Sequence, residues 1–293
     1  KEWAMTYYRR LPTFDYLAPK SISEVSSLIE QYKGDARYLA GGTIVLHQMK
    51  DRIGVRPYVI GLKGVAGLDT IAFSKSRGLT IGSMVRLQNS ADSEEVKKNC
   101  LLLATVCGML GTPQIRNMGT LGGNVAIRFS TSETLPALIA LRAEAKLVAA
   151  GGERVVPVED LYKEMKGGNL LADFRVPALP LGTGVGYEKF AVRERFDYAT
   201  VAAAVVVRMD GKTCKDITIG LGGVTLPSMR AKAAEDIMKG QTITREVIQK
   251  VAETAAEGGH MSADVMFSAE YKKKVLKVMV ERAIKKAIGA QSA

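Results

Sequence analysis

Two glycine pairs about eighty residues apart constrain this chain more than any other feature. The first closes Leu39-Ala40-Gly41-Gly42-Thr43, after an apolar run that reads as a strand. The second lies in Gly119-Thr120-Leu121-Gly122-Gly123-Asn124, preceded by Thr112-Pro113-Gln114-Ile115-Arg116-Asn117. Glycine lacks a Cβ and tolerates positive φ, so each pair offers bare backbone to a ligand. A helix starting just after such a loop adds unpaired N–H groups and partial positive charge, which suits a pyrophosphate. Thr43 is expected to cap the helix after the first loop. Gly122 is expected to face the ligand with positive φ. Neither loop fits G-x-G-x-x-G. Gly182-Thr183-Gly184-Val185-Gly186 and Gly220-Leu221-Gly222-Gly223 miss it too, because Tyr187 and Thr225 stand where the third glycine would fall. A Rossmann site is therefore rejected. Two loops of the other kind point to one long cofactor held at two places.

The remaining composition narrows the chemistry. A length of 293 residues suggests two domains, and 47% hydrophobic with 24% charged residues is ordinary for a globular protein. The longest apolar runs, such as 200–207, are too short to span a membrane. The first residues lack the apolar core of a secretory signal, so the cytoplasm is expected. Cys100, Cys107 and Cys214 form no C-x-x-C pair, and His47 and His260 are far apart, so no metal or cluster site is expected here. There is no G-x-S-x-G or Walker lysine, and two histidines are few for a triad, so no catalytic residue is assigned. That absence suits a protein whose cofactor does the chemistry. The net charge of +11 raises nucleic-acid binding. Its densest cluster, Tyr271-Lys272-Lys273-Lys274, continues with an apolar stripe and Lys285 and Lys286 at helical spacing. Such a helix presents a solvated face, an acidic partner's dock or a nucleic-acid surface, although no aromatic interleaving accompanies it.

Periodicity gives an α+β chain. Ser21 and Glu24 form a capping box for a helix to about Tyr32, followed by a strand over 37–40, the first glycine turn and a helix to about Lys50. After Pro57 come short strands over 59–62, 68–73 and 79–84, helices over 94–99 and 101–110, an apolar helix over 135–141 and a hairpin around Gly151-Gly152. Pro177, Pro180, Gly182, Gly184 and Gly186 read as a linker. Strands over 186–192, 201–209 and 216–221 follow, with Asp210-Gly211 as a tight turn, then helices over 229–239, 244–258 and 268–288. The domain expectation is 1–177, with subdomains 1–56 and 57–177, and then 183–290, a small antiparallel sheet with helices.

These residues resemble the flavin-binding medium subunits of molybdenum hydroxylases, the group that includes carbon monoxide dehydrogenase and xanthine dehydrogenase. The likeness covers nearly the whole chain. It is carried by Phe14 to Ser21, by the first loop, by Pro113 to Asn124, by Leu170 to Pro177, and by Tyr187-Glu188-Lys189-Phe190 with Arg193 and Asp197. It implies a two-part FAD-binding domain of the PCMH/VAO type. By position it implies FAD contacts at Leu39, Ala40, Gly41, Gly42, Thr43, Ile44, Val45 and Leu46, at Leu110, at Thr120, Leu121, Gly122, Gly123 and Asn124, and at Glu133, Leu171 and Lys189. Glu133 would accept from a cofactor hydroxyl. Lys189 would lie close to the isoalloxazine and stabilise an anionic reduced flavin. Ile44 replaces the family's usual Asp or Asn, and Glu133 stands where Asp is usual. The resemblance further implies a small partner with 2Fe-2S clusters and a large partner with molybdopterin-bound molybdenum, assembled as a dimer of heterotrimers. Electrons would pass to NAD, a quinone or another external acceptor. Some relatives carry a four-iron cluster on this subunit, which the cysteine count disfavours. Two rivals stay open: a stand-alone FAD-dependent reductase of the wider fold, and a basic nucleic-acid-binding protein.

Overall fold

The computed structural model describes residues 10–165, 167–193, 196–224 and 228–289, which build three sheets. The first begins with β1 (Asp15–Leu17), α1 (Ile22–Tyr32), β2 (Ala36–Leu39), α2 (Val45–Lys50) and β3 (Tyr58–Gly61). Its strands are parallel in the order β1-β3-β2. Ser21 Oγ accepts from the Glu24 N–H, as the capping box requires, but Glu24 Oε2 accepts from the Lys20 N–H, one residue before the cap. Val25 and Ile29 of α1 pack on Ile60 and Leu68, and also on Val148, Leu170 and Ala172 from the second sheet. The expected break at 56 falls inside this sheet, because β3 is its central strand.

The second sheet draws on β4 (Ile71–Ser74), β5 (Gly78–Gly82), α3 (Leu87–Asp92), α4 (Glu94–Asn99), α5 (Leu101–Met109), α6 (Pro113–Met118), α7 (Leu121–Ala126), α8 (Thr134–Ala140), β6 (Glu144–Ala149), β7 (Gly152–Pro157), α9 (Leu161–Glu164) and β8 (Leu170–Val176). The strands run antiparallel in the order β4-β5-β8-β6-β7. The last strand therefore inserts between two earlier hairpins, and most of its residues are buried. Both glycine loops reach the same end of the molecule through this arrangement, since α7 is pinned to the end of β5 by the Gly122 N–H donating to Ser83 O at 2.8 Å.

The third sheet contains β9 (Thr183–Phe190), β10 (Val201–Asp210), β11 (Thr213–Gly222) and β12 (Met229–Arg230), antiparallel in the order β12-β11-β10-β9. It is followed by α10 (Lys232–Met238), α11 (Arg245–Gly258) and α12 (Ala269–Gly289). A helix expected from residue 229 thus starts three residues later, after a short edge strand. Gly184 and Gly186, expected in a linker, lie within β9. The reason is packing: a Cβ on Gly186 would sit 2.0 Å from Ala283 O of α12. Gly220 plays the same part for α8, where a Cβ would sit 2.1 Å from Pro136 O. These glycines let helices approach strand backbone.

The N-terminal half and the C-terminal half share one core. Tyr187, Ala199, Ala202 and Ala204 cluster with Leu103, Leu135 and Leu138. Arg142 adds a clasp, donating to Thr218 Oγ1 at 2.9 Å and Asp216 Oδ1 at 2.8 Å. The basic helix α12 is largely neutralised at home. Lys272 pairs with Asp264, Lys274 with Glu270, Lys277 with Glu253, Lys285 with Glu281 and Lys286 with Glu188. Among the described residues no helix is long and apolar enough to cross a membrane.

Candidate cofactor site

Each loop is shaped by its own capping chemistry. The first leaves β2 at Leu39, passes Gly42 at φ +75° and enters α2 at Val45. Ile44, with helical backbone angles, is the N-cap and its side chain caps nothing. Thr43 therefore does not cap the helix as expected. In the second, Thr112 Oγ1 accepts from the Ile115 N–H at 3.3 Å, and Pro113 takes the first helical position. Thr120 Oγ1 accepts from the Gly123 N–H at 3.1 Å and starts α7. The loops then meet. A Cβ on Gly41 would lie 2.0 Å from Met118 O and 2.9 Å from Gly119 Cα, so only glycine permits this backbone contact.

A cleft of about 730 Å³, counting its open mouth, lies where they meet. Ala40, Gly41, Gly42, Thr43, Ile44 and Val45 form one wall, and Thr120, Gly123 and Asn124 the other. Leu110 lines it as expected. Leu87, Ile115, Phe129 and Tyr198 line it without having been singled out. Tyr198 comes from the C-terminal half, and only its exposed ring marks it in the fold. Two recesses adjoin at Ala40: one holds Tyr38, Gly122, Arg128 and Leu171, the other Lys63, Arg86 and Asn117. Leu121 is fully buried in the core. Leu39 and Leu46 stand beside Gly42 and line none of these three cavities. Gly122 is helical, without positive φ, contrary to expectation. Its constraint is protein packing, since a Cβ there would lie 2.4 Å from Ser83 Cβ.

Asn124 turns its carbonyl inward. Oδ1 accepts from Ser132 Oγ at 2.8 Å and Thr134 Oγ1 at 2.6 Å, so the second loop is tied to segment 132–134. Glu133, between those two partners, forms a buried ion pair with Lys189 at 2.8 Å, with side chains 1% and 4% exposed. Lys189 Nζ also donates to Met109 O at 2.9 Å and Asp197 O at 3.2 Å. Tyr187 donates to Glu133 Oε2 at 3.2 Å, and the Ala199 backbone N–H also reaches the Glu133 carboxyl. Burial pushes the Glu133 carboxyl above its ordinary range, against the pull of Lys189. Neither residue lines the cleft. They stand directly behind its wall.

The lining fits a dinucleotide: Cβ-free backbone at Gly41 and Gly42 for a pyrophosphate, and apolar Leu110, Ile115, Phe129 and Tyr198 for a flat ring. No group of three metal-ligating side chains occurs among the described residues. The thiols are buried and free, with Cys100 and Cys107 pushed up to about 12 and Cys214 to about 11 by burial.

Residues 12–179 match the FAD binding domain in molybdopterin dehydrogenase, and residues 187–287 match the CO dehydrogenase flavoprotein C-terminal domain. The chain is 32% identical over 278 residues to the carbon monoxide dehydrogenase medium chain of Hydrogenophaga pseudoflava, covering 93% of this chain and 96% of that one. It is 30% identical over 285 residues to the 6-hydroxypseudooxynicotine dehydrogenase complex subunit alpha of Paenarthrobacter nicotinovorans, covering 94% and 95%. A solved carbon monoxide dehydrogenase from Hydrogenophaga pseudoflava superposes with a TM-score of 0.93 at 33% identity, covering 96% of this chain and 99% of that one.

Proposed function

This chain belongs to the FAD-binding medium subunits of the molybdenum hydroxylases, and on that premise we propose that it is the electron-transfer flavoprotein of such a complex. It takes electrons from an iron–sulfur subunit and passes them to an external acceptor such as NAD or a quinone. The observation that carries this reading is the contact of Gly41 with Met118 and Gly119, which brings two glycine loops to one cleft. Gly42, Thr43, Thr120, Gly123 and Asn124 hold the pyrophosphate, and the Asn124 amide presents its N–H₂ as a donor because its oxygen is already engaged. Ile44, Leu110, Phe129 and Tyr198 form an apolar slot that orients the flat ring and excludes water from it. The recess with Tyr38 and Leu171 takes the remaining end of the dinucleotide. FAD, when bound, exchanges electrons between one-electron and two-electron carriers. Substrate chemistry belongs to a large molybdopterin subunit, and the residues of this chain bind and orient the flavin. A small subunit with 2Fe-2S clusters completes a heterotrimer, two of which form the assembly. The three unpaired thiols support a cytoplasmic setting. The paired lysines of α12 weaken the case for a nucleic-acid surface on that helix.

Affinity purification from the native cell tests this reading. A yellow protein is expected, co-purifying with two other chains, molybdenum and iron, and releasing FAD on acid precipitation. The isolated chain is expected to contain FAD alone. A chain that stays colourless after incubation with excess FAD refutes the cofactor. Flavin bound without any partner chains selects the stand-alone reductase instead.

A further inference from the structure

The ion pair behind the cleft carries an inference that rests on the FAD reading and assigns a role inside it. An ammonium has three N–H donors, and Lys189 spends them on Glu133 Oε2, Met109 O and Asp197 O. Each acceptor is the immediate chain neighbour of a residue lining the cleft. Met109 precedes Leu110, Asp197 precedes Tyr198, and Glu133 follows Ser132. The three segments come from the end of α5, from the loop after β9 and from the stretch before α8. Among the described residues no ladder hydrogen bond of any sheet joins them to one another. Lys189 is thus the point at which three pieces of the wall are fastened, and the Ala199 N–H to the Glu133 carboxyl ties two of them together a second time. Through Glu133 and the Ser132 and Thr134 bonds to Asn124, the same point reaches the second glycine loop. Its charge is neutralised at 2.8 Å by Glu133, which weakens any field it exerts on a ring in the cleft.

We propose that Lys189 is a positioning residue for the flavin pocket, fixing Leu110, Ser132 and Tyr198 in register, and not a ligand that tunes the flavin by its charge. The two roles predict different things. Positioning residues change how tightly both redox states of the cofactor bind, and a midpoint potential moves only when the two affinities change unequally. A cation acting on the ring must favour the reduced state and therefore must set the potential.

Two variants separate the roles, studied in the full chain with bound FAD and after reconstitution with FAD. Lys189→Arg keeps the charge but replaces a three-way tripod by a planar fork. Lys189→Met with Glu133→Gln removes one positive and one negative charge together, so no unpaired buried charge is left. Positioning predicts that the FAD dissociation constant rises about tenfold or more in both variants, while the flavin midpoint potential stays at the wild-type value. It also predicts altered flavin fluorescence, because Tyr198 is no longer held through Asp197. Wild-type affinity in Lys189→Arg, or a lowered potential in the charge-balanced pair, overturns the proposal in favour of direct action on the ring. Should the double variant not fold, Lys189→Arg alone decides through its affinity. Failure of the wild-type chain to bind FAD refutes the underlying reading, and is distinct from wild-type binding that neither variant disturbs.

Discussion

Gly41→Ala is the smallest change that tests whether the two loops act as one site. Gly41 has no positive φ, so alanine meets no backbone penalty there. Its added Cβ would lie 2.0 Å from Met118 O, 2.8 Å from Met118 C and 2.9 Å from Gly119 Cα. All three are backbone atoms, and no rotamer relieves the contact. Reaching an ordinary separation of about 3.4 Å requires the loops to part by about 1.4 Å, roughly one covalent bond length. Overpacking of this kind costs about 1–3 kcal/mol. The unliganded chain can release that strain by letting the loops separate, but a cofactor spanning both pulls them back together. The cost then appears as lost affinity, and about 2 kcal/mol corresponds to about thirtyfold in the FAD dissociation constant. Titration of apoprotein with FAD, followed by flavin fluorescence, measures that loss. Urea unfolding of the apoprotein measures whatever strain remains in its absence. The two losses together should reach about 1–3 kcal/mol. If affinity and apoprotein stability both match the wild type, the loop contact is not what builds the site.

Gly122→Val should destabilise the apoprotein by about 1–3 kcal/mol, because its Cβ would lie 2.4 Å from Ser83 Cβ and 2.8 Å from Ser83 O. An unchanged urea midpoint would count against that packing argument. The three thiols should resist alkylation at pH 8 in the native state and react only after unfolding, since burial holds Cys100 and Cys107 near 12 and Cys214 near 11. Rapid native labelling would show that one of them is accessible. The Asp264 carboxylate is held down to about 2 by Lys272 and by the Met266 and Phe267 N–H groups. Its folded value lies below its unfolded one, so its contribution is full above about pH 4 and is lost as the pH falls through about 2. Asp264→Asn should flatten that acid limb in a pH series of thermal melts, and an unaltered limb would assign the acid sensitivity to other carboxylates.

Local signals were legible wherever the chain's own short-range chemistry decides the outcome. Ser21 with Glu24 announces a helix start that the structure keeps, and the helix read over 244–258 is kept as well. The hairpin of β6 and β7 and the Gly211 turn into β11 are legible for the same reason. Features set by distant partners were not. Nothing around Tyr58 reveals that β3 lies between β1 and β2 in a parallel sheet, because the pairing joins segments far apart in sequence. Gly184 reads as a linker residue, and nothing local shows that Gly186 and Gly220 are glycines because α12 and α8 lie against them. In the site, the backbone-rich walls were visible as motifs, whereas Leu87, Phe129 and Tyr198 line the cleft only through tertiary packing. Glu133 and Lys189 are far apart in sequence, and no local pattern shows that each is the other's counter-ion.

The common core of the two halves has a consequence for how this protein is made. Leu103, Leu135 and Leu138 are covered in part by Tyr187, Ala199, Ala202 and Ala204. While the chain leaves the ribosome, the N-terminal half reaches Val176 with its second sheet complete, yet the apolar face of α8 has no cover until β10 and β11 emerge. Vectorial synthesis therefore leaves a nascent species with a finished sheet and a sticky flank, the kind of intermediate that chaperones engage. Loading of the cofactor must wait for the same event, because Tyr198 reaches the cleft only after β9 has docked.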